Sequence, residues 1–221
     1  MAALVLAAVL GSAGGITTAL WSGVDPQDPL GLGVPLENLP CTGQTVIIVG
    51  EGESSPALSH SVADWDGVRY LETAKSCPTV YPLVRGRLPT YVAYLPPYAS
   101  AKGACEDRMT AQHRGDFTTR LIEGNVDSVN CACELDVATL PEFGEGQPPT
   151  TVSGMWVNLY QNMLDDLGVL ELRQVEPGIF DEEMIRITRE FQTDGGVSPT
   201  AIADEDTWRL LRDKACDRYR Y

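Results

Sequence analysis

Six cysteines are spread along the chain, and their number and spacing constrain how it can fold. They are Cys41, Cys77, Cys105, Cys131, Cys133 and Cys216. None of them lies in the C-x-x-C spacing typical of zinc or thioredoxin-like sites. An even, scattered set favours disulfides, which persist in oxidising compartments outside the cytoplasm. The alternative is a cytosolic protein with reduced, buried cysteines.

The close spacing of two cysteines restricts the pairing. A bond between Cys131 and Cys133 would strain the bridge geometry, because only one residue separates them. We therefore expect one of the two to bond to Cys216 and to tie two halves of the protein together. Cys41, Cys77 and Cys105 then take part in the remaining bonds. Each bond is expected to add a few kcal/mol of stability.

The segment from Ala2 to Trp21 carries no charged side chain and has about the length that a helix needs to cross a membrane. We interpret residues 1–21 as a single-pass transmembrane anchor. A cleaved secretory signal is the alternative, because residues 11–14 are small enough for cleavage. No Lys or Arg precedes Arg69, so neither type of segment has its usual basic flank. Further residues upstream of Met1 would account for this absence.

The chain is strongly acidic, with 16 Lys and Arg against 31 Asp and Glu among its 221 residues and a formal charge of −15. Binding to nucleic acid depends on basic side chains that release counterions from phosphates. No block of basic residues is present, so nucleic acid is not an expected partner. The share of hydrophobic residues, 43%, is that of a globular protein.

Composition divides the rest of the chain into four segments. Residues 22–40 are rich in Pro and Gly and predict an extended stalk. Residues 41–136 alternate strand and helix patterns in the order βαββαβ, which predicts an antiparallel sheet with two helices on one face and the other face open to a ligand. Residues 137–154 lack periodicity and predict a linker. Residues 155–221 have three amphipathic stretches and predict a three-helix domain, so the fold class is α+β.

Four ordered motifs in residues 155–212 resemble the peptidoglycan-binding domain-like family, a three-helix module found beside cell-wall enzymes. The motifs are Val157, Tyr160-Gln161, Leu164 and Leu167-Gly168; Gly178-Ile-Phe180; Thr188-Arg-Glu-Phe191-Gln192; and Thr207-Trp208-Arg-Leu-Leu211. The resemblance implies binding of peptidoglycan. Gln161, Gln192 and Thr207 are the candidate ligand contacts, because polar groups beside an apolar groove can orient a sugar or peptide. Helix capping or surface hydrogen bonding is their alternative role.

Residues 43–124 are similar to SPOR-like domains, βαββαβ modules that bind the glycan strands of septal peptidoglycan. The similarity is carried by Tyr81-Pro-Leu, by Pro89 to Tyr98 and by Ser100 to Cys105. Along a strand, Tyr91 and Tyr94 point to opposite faces of the sheet. Either tyrosine is a candidate for stacking on sugar rings, and packing at the sheet edge is the alternative.

Catalytic motifs of cell-wall hydrolases are missing from the sequence. The two histidines, His60 and His113, are not in zinc-peptidase spacing, and three disulfides would leave no thiol as a nucleophile. Paired carboxylates of the glycosidase type cannot be singled out among so many surface acids. We therefore expect no metal, no cofactor and no catalysis, with an uncharacterised wall hydrolase as a weaker alternative.

Taken together, the sequence predicts a membrane-anchored bacterial envelope protein with its bulk outside the cytoplasm. Its expected ligand is peptidoglycan, through the glycan or the stem peptide, and it would act as a wall-binding protein or as the outer part of a sensor or scaffold. The alternative is a docking module that recruits or regulates a partner envelope enzyme through its acidic surface.

Overall fold

The structure is a computed structural model that describes residues 25–81, 88–110, 117–124, 128–144 and 151–219. The strands are β1 (Thr45–Gly52), β2 (Arg69–Glu72), β3 (Tyr91–Tyr94), β4 (Phe117–Arg120), β5 (Phe143–Gly144) and β6 (Ile202–Ala203). The helices are α1 (Ser55–Ala63), α2 (Ala101–Thr110), α3 (Cys131–Glu134), α4 (Thr151–Asp166), α5 (Glu182–Gly195) and α6 (Glu205–Ala215). The predicted anchor, residues 1–21, lies outside the described residues. Within the described ranges, no helix has the length and apolar character needed to span a bilayer.

The first four strands form one antiparallel sheet in the order β2-β3-β1-β4. Strand β1 pairs with both β3 and β4, and β3 also pairs with β2. The elements follow one another as β1, α1, β2, β3, α2 and β4, which is the predicted βαββαβ order. Each βαβ unit is split by a strand inserted between its two strands. The α+β class and the antiparallel sheet are thus confirmed.

Strand β1 continues through Gly50 to Gly52, and helix α1 packs closely against this end of the strand. A Cβ atom at Gly52 would lie 2.3 Å from the Cβ of Ala57, so only glycine allows the helix to pack there. Glycine therefore permits a helix contact at this point instead of ending the strand.

Both faces of the sheet are covered, which corrects the expectation of one open face. Helices α1 and α2 cover one face through Leu58 and Ala104. On the other face, Val80 from the segment after β2 packs against the sheet. The Cys41–Cys77 disulfide fixes this covering segment to the chain that enters β1. The short 3-10 turns that build this cover have no periodic pattern, so the sequence does not predict them.

Residues 25–40 run along the edge of β2, where the sequence predicts an extended stalk over 22–40. Leu36 forms a parallel bridge with Tyr70, and the Glu37 N–H donates to the Tyr70 carbonyl over 2.8 Å. Proline is compatible with such an edge position as well as with a free spacer, so composition alone does not separate the two. We name residues 25–40 the N-terminal strap.

The three predicted C-terminal helices are present as α4, α5 and α6. Asp181 and Asp204 cap α5 and α6, because each Oδ1 accepts a hydrogen bond of 2.9 Å from the backbone N–H three residues on. Gly196, at φ 74°, ends α5. The core between the helices contains Trp156, Phe191 and Trp208 among its large side chains, and all three are buried.

Helix α2 contacts both halves of the protein. Ala104 faces the sheet, whereas Cys105 and Met109 belong to the core of the C-terminal helices. The Cys105–Cys131 disulfide joins α2 to α3. The sheet and the three-helix region are therefore packed together through a shared helix.

Residues 137–144, within the predicted linker 137–154, are packed against the C-terminal helices. Leu140 and Phe143 are buried, and β5 pairs with β6. The Cys133–Cys216 disulfide adds a covalent tie between α3 and the end of α6, which agrees with the expectation that one of Cys131 and Cys133 reaches Cys216. The described cysteines contain no free thiol.

Candidate functional site

A cleft of about 320 Å³ lies at one end of the sheet, beside the covering helices. Its volume is at the lower end of the range of ligand pockets, about 300–1,000 Å³. Two aromatic rings and three carboxylates dominate its lining. The lining residues are Ala63, Asp64, Trp65, Asp66, Leu95, Pro96, Tyr98 and Asp107. We name this feature the aromatic cleft.

The Trp65 side of the cleft is formed by the turn after α1. Asp64 caps the C-terminus of α1, and its N–H donates to the His60 carbonyl over 3.0 Å. Gly67, at φ 74°, turns the chain towards β2. Trp65 is half-buried against the core on the helix-covered face of the sheet. Core packing therefore orients the Trp65 ring, while part of its surface remains exposed.

The Tyr98 side is fixed to the sheet by two backbone hydrogen bonds. The Tyr98 N–H donates to the Thr45 carbonyl over 2.7 Å, and the Thr45 N–H donates to the Tyr98 carbonyl over 3.0 Å. The Tyr98 hydroxyl donates to Oδ2 of Asp107 on α2. Burial, together with the hydrogen bond to Asp107, raises the pKa of Tyr98 well above its ordinary value. The phenol therefore stays protonated and orients the Asp107 carboxylate.

The electrostatic character of the cleft is negative. Asp64 and Asp66 are exposed at its rim and Asp107 is half-buried inside it, and no Lys or Arg belongs to its described lining. The cleft can therefore offer ring faces for stacking and carboxylate oxygens as hydrogen-bond acceptors. A ligand that fits has an apolar face and several hydroxyl or amine donors, as a sugar has.

A larger cleft, of about 490 Å³, lies beside α6 but offers less to a ligand. Arg209 already pairs with Glu205 and Asp206. Arg212 donates to the carbonyl oxygens of Cys133 and Leu135. None of the described residues that line this larger cleft is aromatic, so the aromatic cleft is the better candidate site.

Gln161, predicted as a ligand contact, is fully buried in α4. Its Nε2 donates to the carbonyl oxygens of Glu176 and Ile179, both over 3.0 Å, and its Oε1 accepts from the Gly178 N–H over 2.9 Å. Gln161 thus holds the 176–179 loop in place. Contact with a ligand would require these bonds to break.

Gln192 and Thr207 lie together, and both are fully buried. Gln192 Nε2 donates to Thr207 Oγ1 over 2.7 Å and to the Ile202 carbonyl over 2.8 Å, and its Oε1 accepts from the Ala201 N–H over 2.8 Å. Ala201 has a left-handed φ of 56°, which the Gln192 hydrogen bond helps to hold. The pair fixes the turn between α5 and α6 and has no surface for a ligand.

Tyr91 and Tyr94 point to opposite faces of the sheet, as the strand pattern predicts. Tyr94 is fully buried, and its hydroxyl donates to the Glu37 carbonyl over 3.0 Å. Tyr91 is half-buried beside Tyr70, with ring centroids 6.1 Å apart. Neither tyrosine lines the aromatic cleft.

Sequence reasoning missed Trp65 and the three aspartates, although local signals were present. An aromatic residue between two aspartates directly before Gly67 indicates a polar turn that displays a ring. The Pro96-Pro97 pair likewise ends β3 just before Tyr98. Neither signal indicates that the two loops meet.

His113 lies outside the described residues, and no group of three or more metal-ligating side chains occurs in the ranges that the structure describes.

Comparisons of the whole chain give no relative from which a function could be transferred. No family model matches it, and no curated protein or solved structure is significantly similar to it.

Proposed function

We propose that this protein is a non-catalytic binding protein for cell-wall peptidoglycan, located outside the cytoplasm and attached to the membrane through its N-terminal segment. The aromatic cleft is the observation that carries the proposal. Trp65 and Tyr98 present ring surface beside acceptor groups, which is the combination that suits a sugar ring with an apolar face and polar edges.

Two further features support this proposal. Three disulfides fit an oxidising compartment, because such bonds persist outside the cytoplasm. The resemblance of residues 155–212 to peptidoglycan-binding modules points to the same ligand. In our proposal the C-terminal helices support the sheet that bears the cleft, since their predicted polar contacts are used internally.

The test is co-sedimentation of the oxidised full chain with purified peptidoglycan. Trp65→Ala removes a half-buried ring at the cleft. Ile179→Ala is the matched control, because Ile179 is a large apolar side chain that is 40% exposed and does not line the cleft. We expect the wild type and the control to pellet, and Trp65→Ala to bind about 10-fold more weakly, the loss typical of a contact worth about 1.4 kcal/mol.

Thermal unfolding of each variant separates loss of binding from loss of fold. Trp208→Ala is unsuitable for this purpose, because Trp208 is fully buried in the core. Failure of the wild type to pellet at low salt would contradict the proposal. Release of soluble muropeptides during the incubation would contradict its non-catalytic part.

A further inference from the structure

We infer that the aromatic cleft selects an amino sugar with a free, protonated amine over its N-acetylated form. This inference rests on the proposed function, because it names the sugar that the same cleft takes. Three features of the cleft support it, namely the charge of the lining, the pairing of the carboxylates and the two rings.

The lining favours a cationic ligand. Asp64, Asp66 and Asp107 bring three carboxylates to one cleft, with no Lys or Arg among the described lining residues. A sugar that carries a phosphate or carboxylate would meet like charge there. An acetamide group is neutral and gains little from the carboxylates, whereas an ammonium group gains an ionic hydrogen bond.

The carboxylates at the rim are not used elsewhere in the described structure, in contrast to acids on the C-terminal helices. Arg186 pairs with Glu183 and Glu190 on the surface of α5. Asp64 and Asp66 are exposed, and neither belongs to an ion pair with a described Lys or Arg. A ligand amine would therefore not have to displace a basic side chain from either carboxylate.

The rings identify the ligand as a sugar instead of a simple amine. A cation over the face of Trp or Tyr is attracted by the ring quadrupole, which adds to the effect of the carboxylates. Trp65 and Tyr98 line the same cleft as the aspartates, so the cleft offers an amino sugar both ring surface for its apolar face and carboxylates for its amine. A lysine side chain offers the amine without the flat apolar face.

The experiment measures binding of the oxidised full chain to a glucosamine tetramer and to an N-acetylglucosamine tetramer by calorimetry. We expect the glucosamine tetramer to bind at least about 5-fold more tightly at low salt, and this preference to shrink as salt screens the charges. Asp64→Asn with Asp66→Asn should remove most of the preference, since each exposed charge pair contributes about 1.5- to 5-fold. Asp213→Asn, an exposed aspartate on α6, is the charge-matched control and should keep it.

The outcomes separate this inference from the proposed function. Equal binding of both tetramers, lost in Trp65→Ala, would overturn the amine inference and leave glycan binding intact. Equal binding of a lysine-rich peptide and the glucosamine tetramer would also overturn it, because the cleft would then recognise an amine without its sugar. If neither tetramer binds while peptidoglycan still pellets the protein, the cleft is not the site. If the protein also fails to pellet with peptidoglycan, the proposed function is wrong.

Discussion

Trp208 donates a hydrogen bond from its indole Nε1 to the carbonyl oxygen of Pro141 over 2.9 Å, although the two residues are 67 positions apart. The Trp208 ring also lies edge-on to Phe143, with centroids 5.8 Å apart. A segment that the sequence predicts as a linker therefore contributes to the central core of the C-terminal helices.

Trp208→Phe should weaken the fold without affecting ligand binding. The substitution keeps an aromatic ring, but it leaves the Pro141 carbonyl without the indole donor and removes part of a fully buried side chain, so we expect a loss of about 1–3 kcal/mol in the free energy of unfolding. Chemical denaturation followed by circular dichroism measures this loss. Unchanged stability would show that the hydrogen bond contributes nothing. Ile179→Ala, at the surface, is the control.

Gln192→Ala should lower stability by about 2–4 kcal/mol, because the buried Ala201 N–H and Thr207 hydroxyl lose a partner. Gln174→Ala is the matched control, since Gln174 is exposed in a short turn. Thermal unfolding and peptidoglycan pelleting are measured on the same samples. A Gln192→Ala variant that keeps its stability but loses binding would contradict this structural role and would indicate that Gln192 contacts the ligand.

The periodic elements were predictable because their signals are local. Asp181 and Asp204 are recognisable as caps from sequence alone, and the strands of the sheet follow from β-branched and aromatic runs. The strap over Tyr70 and the packing of Phe143 depend on distant partners. Composition indicates only that such a segment does not form a regular helix or strand by itself, and its tertiary contacts determine where it packs.

The Cys133–Cys216 disulfide closes a loop over a sequence separation of 83 residues. In the chain-entropy model, a loop of this length stabilises the folded state by about 4–5 kcal/mol. Replacing both cysteines with serine should therefore lower the unfolding free energy by up to about that amount. Denaturant titration measures the change. The Cys41–Cys77 pair, with a separation of 36, is the comparison and should cost less.

The hydrogen bonds of the Asp28 carboxylate predict that acid weakens the N-terminal strap. Burial raises the pKa of this carboxyl, but hydrogen bonds from the N–H groups of Leu32 and Gly33 and from the Tyr70 hydroxyl outweigh it, so the net pKa lies below the ordinary 3.8. A lowered folded-state pKa stabilises the fold above the unfolded-state pKa. This stabilisation is therefore present above about pH 4 and is lost as the pH falls through the folded-state pKa.

Hydrogen exchange of the Leu32 and Gly33 amides checks the strap prediction, because both donate to the Asp28 carboxylate, over 2.9 and 2.7 Å. Their protection should decrease below pH 4 relative to that of amides in β1, after correction for intrinsic exchange. Asp28→Asn should remove this extra pH dependence. Equal behaviour of wild type and variant would contradict the role of the carboxylate.

The residues of the aromatic cleft could not be assembled from sequence, because Trp65 and Tyr98 belong to loops that meet only when the split βαβ topology brings α1 and the end of β3 together. The polar residues chosen through the resemblance to peptidoglycan-binding modules, such as Gln161, belong to motifs whose other members are core residues, and they are themselves buried. A motif of this kind identifies a fold element more reliably than a surface contact.

Tyr98 allows the ring and the hydroxyl of the cleft to be separated. Tyr98→Phe keeps the ring but loses the hydrogen bond to Asp107, so binding to peptidoglycan should weaken by less than about 3-fold. Tyr98→Ala removes the ring, and binding should weaken by about 10-fold. Because the pKa of Tyr98 is raised, wild-type binding should show no step between pH 8 and pH 10 from loss of this proton. A Phe variant as weak as the Ala variant would show that the hydroxyl, not the ring, carries recognition.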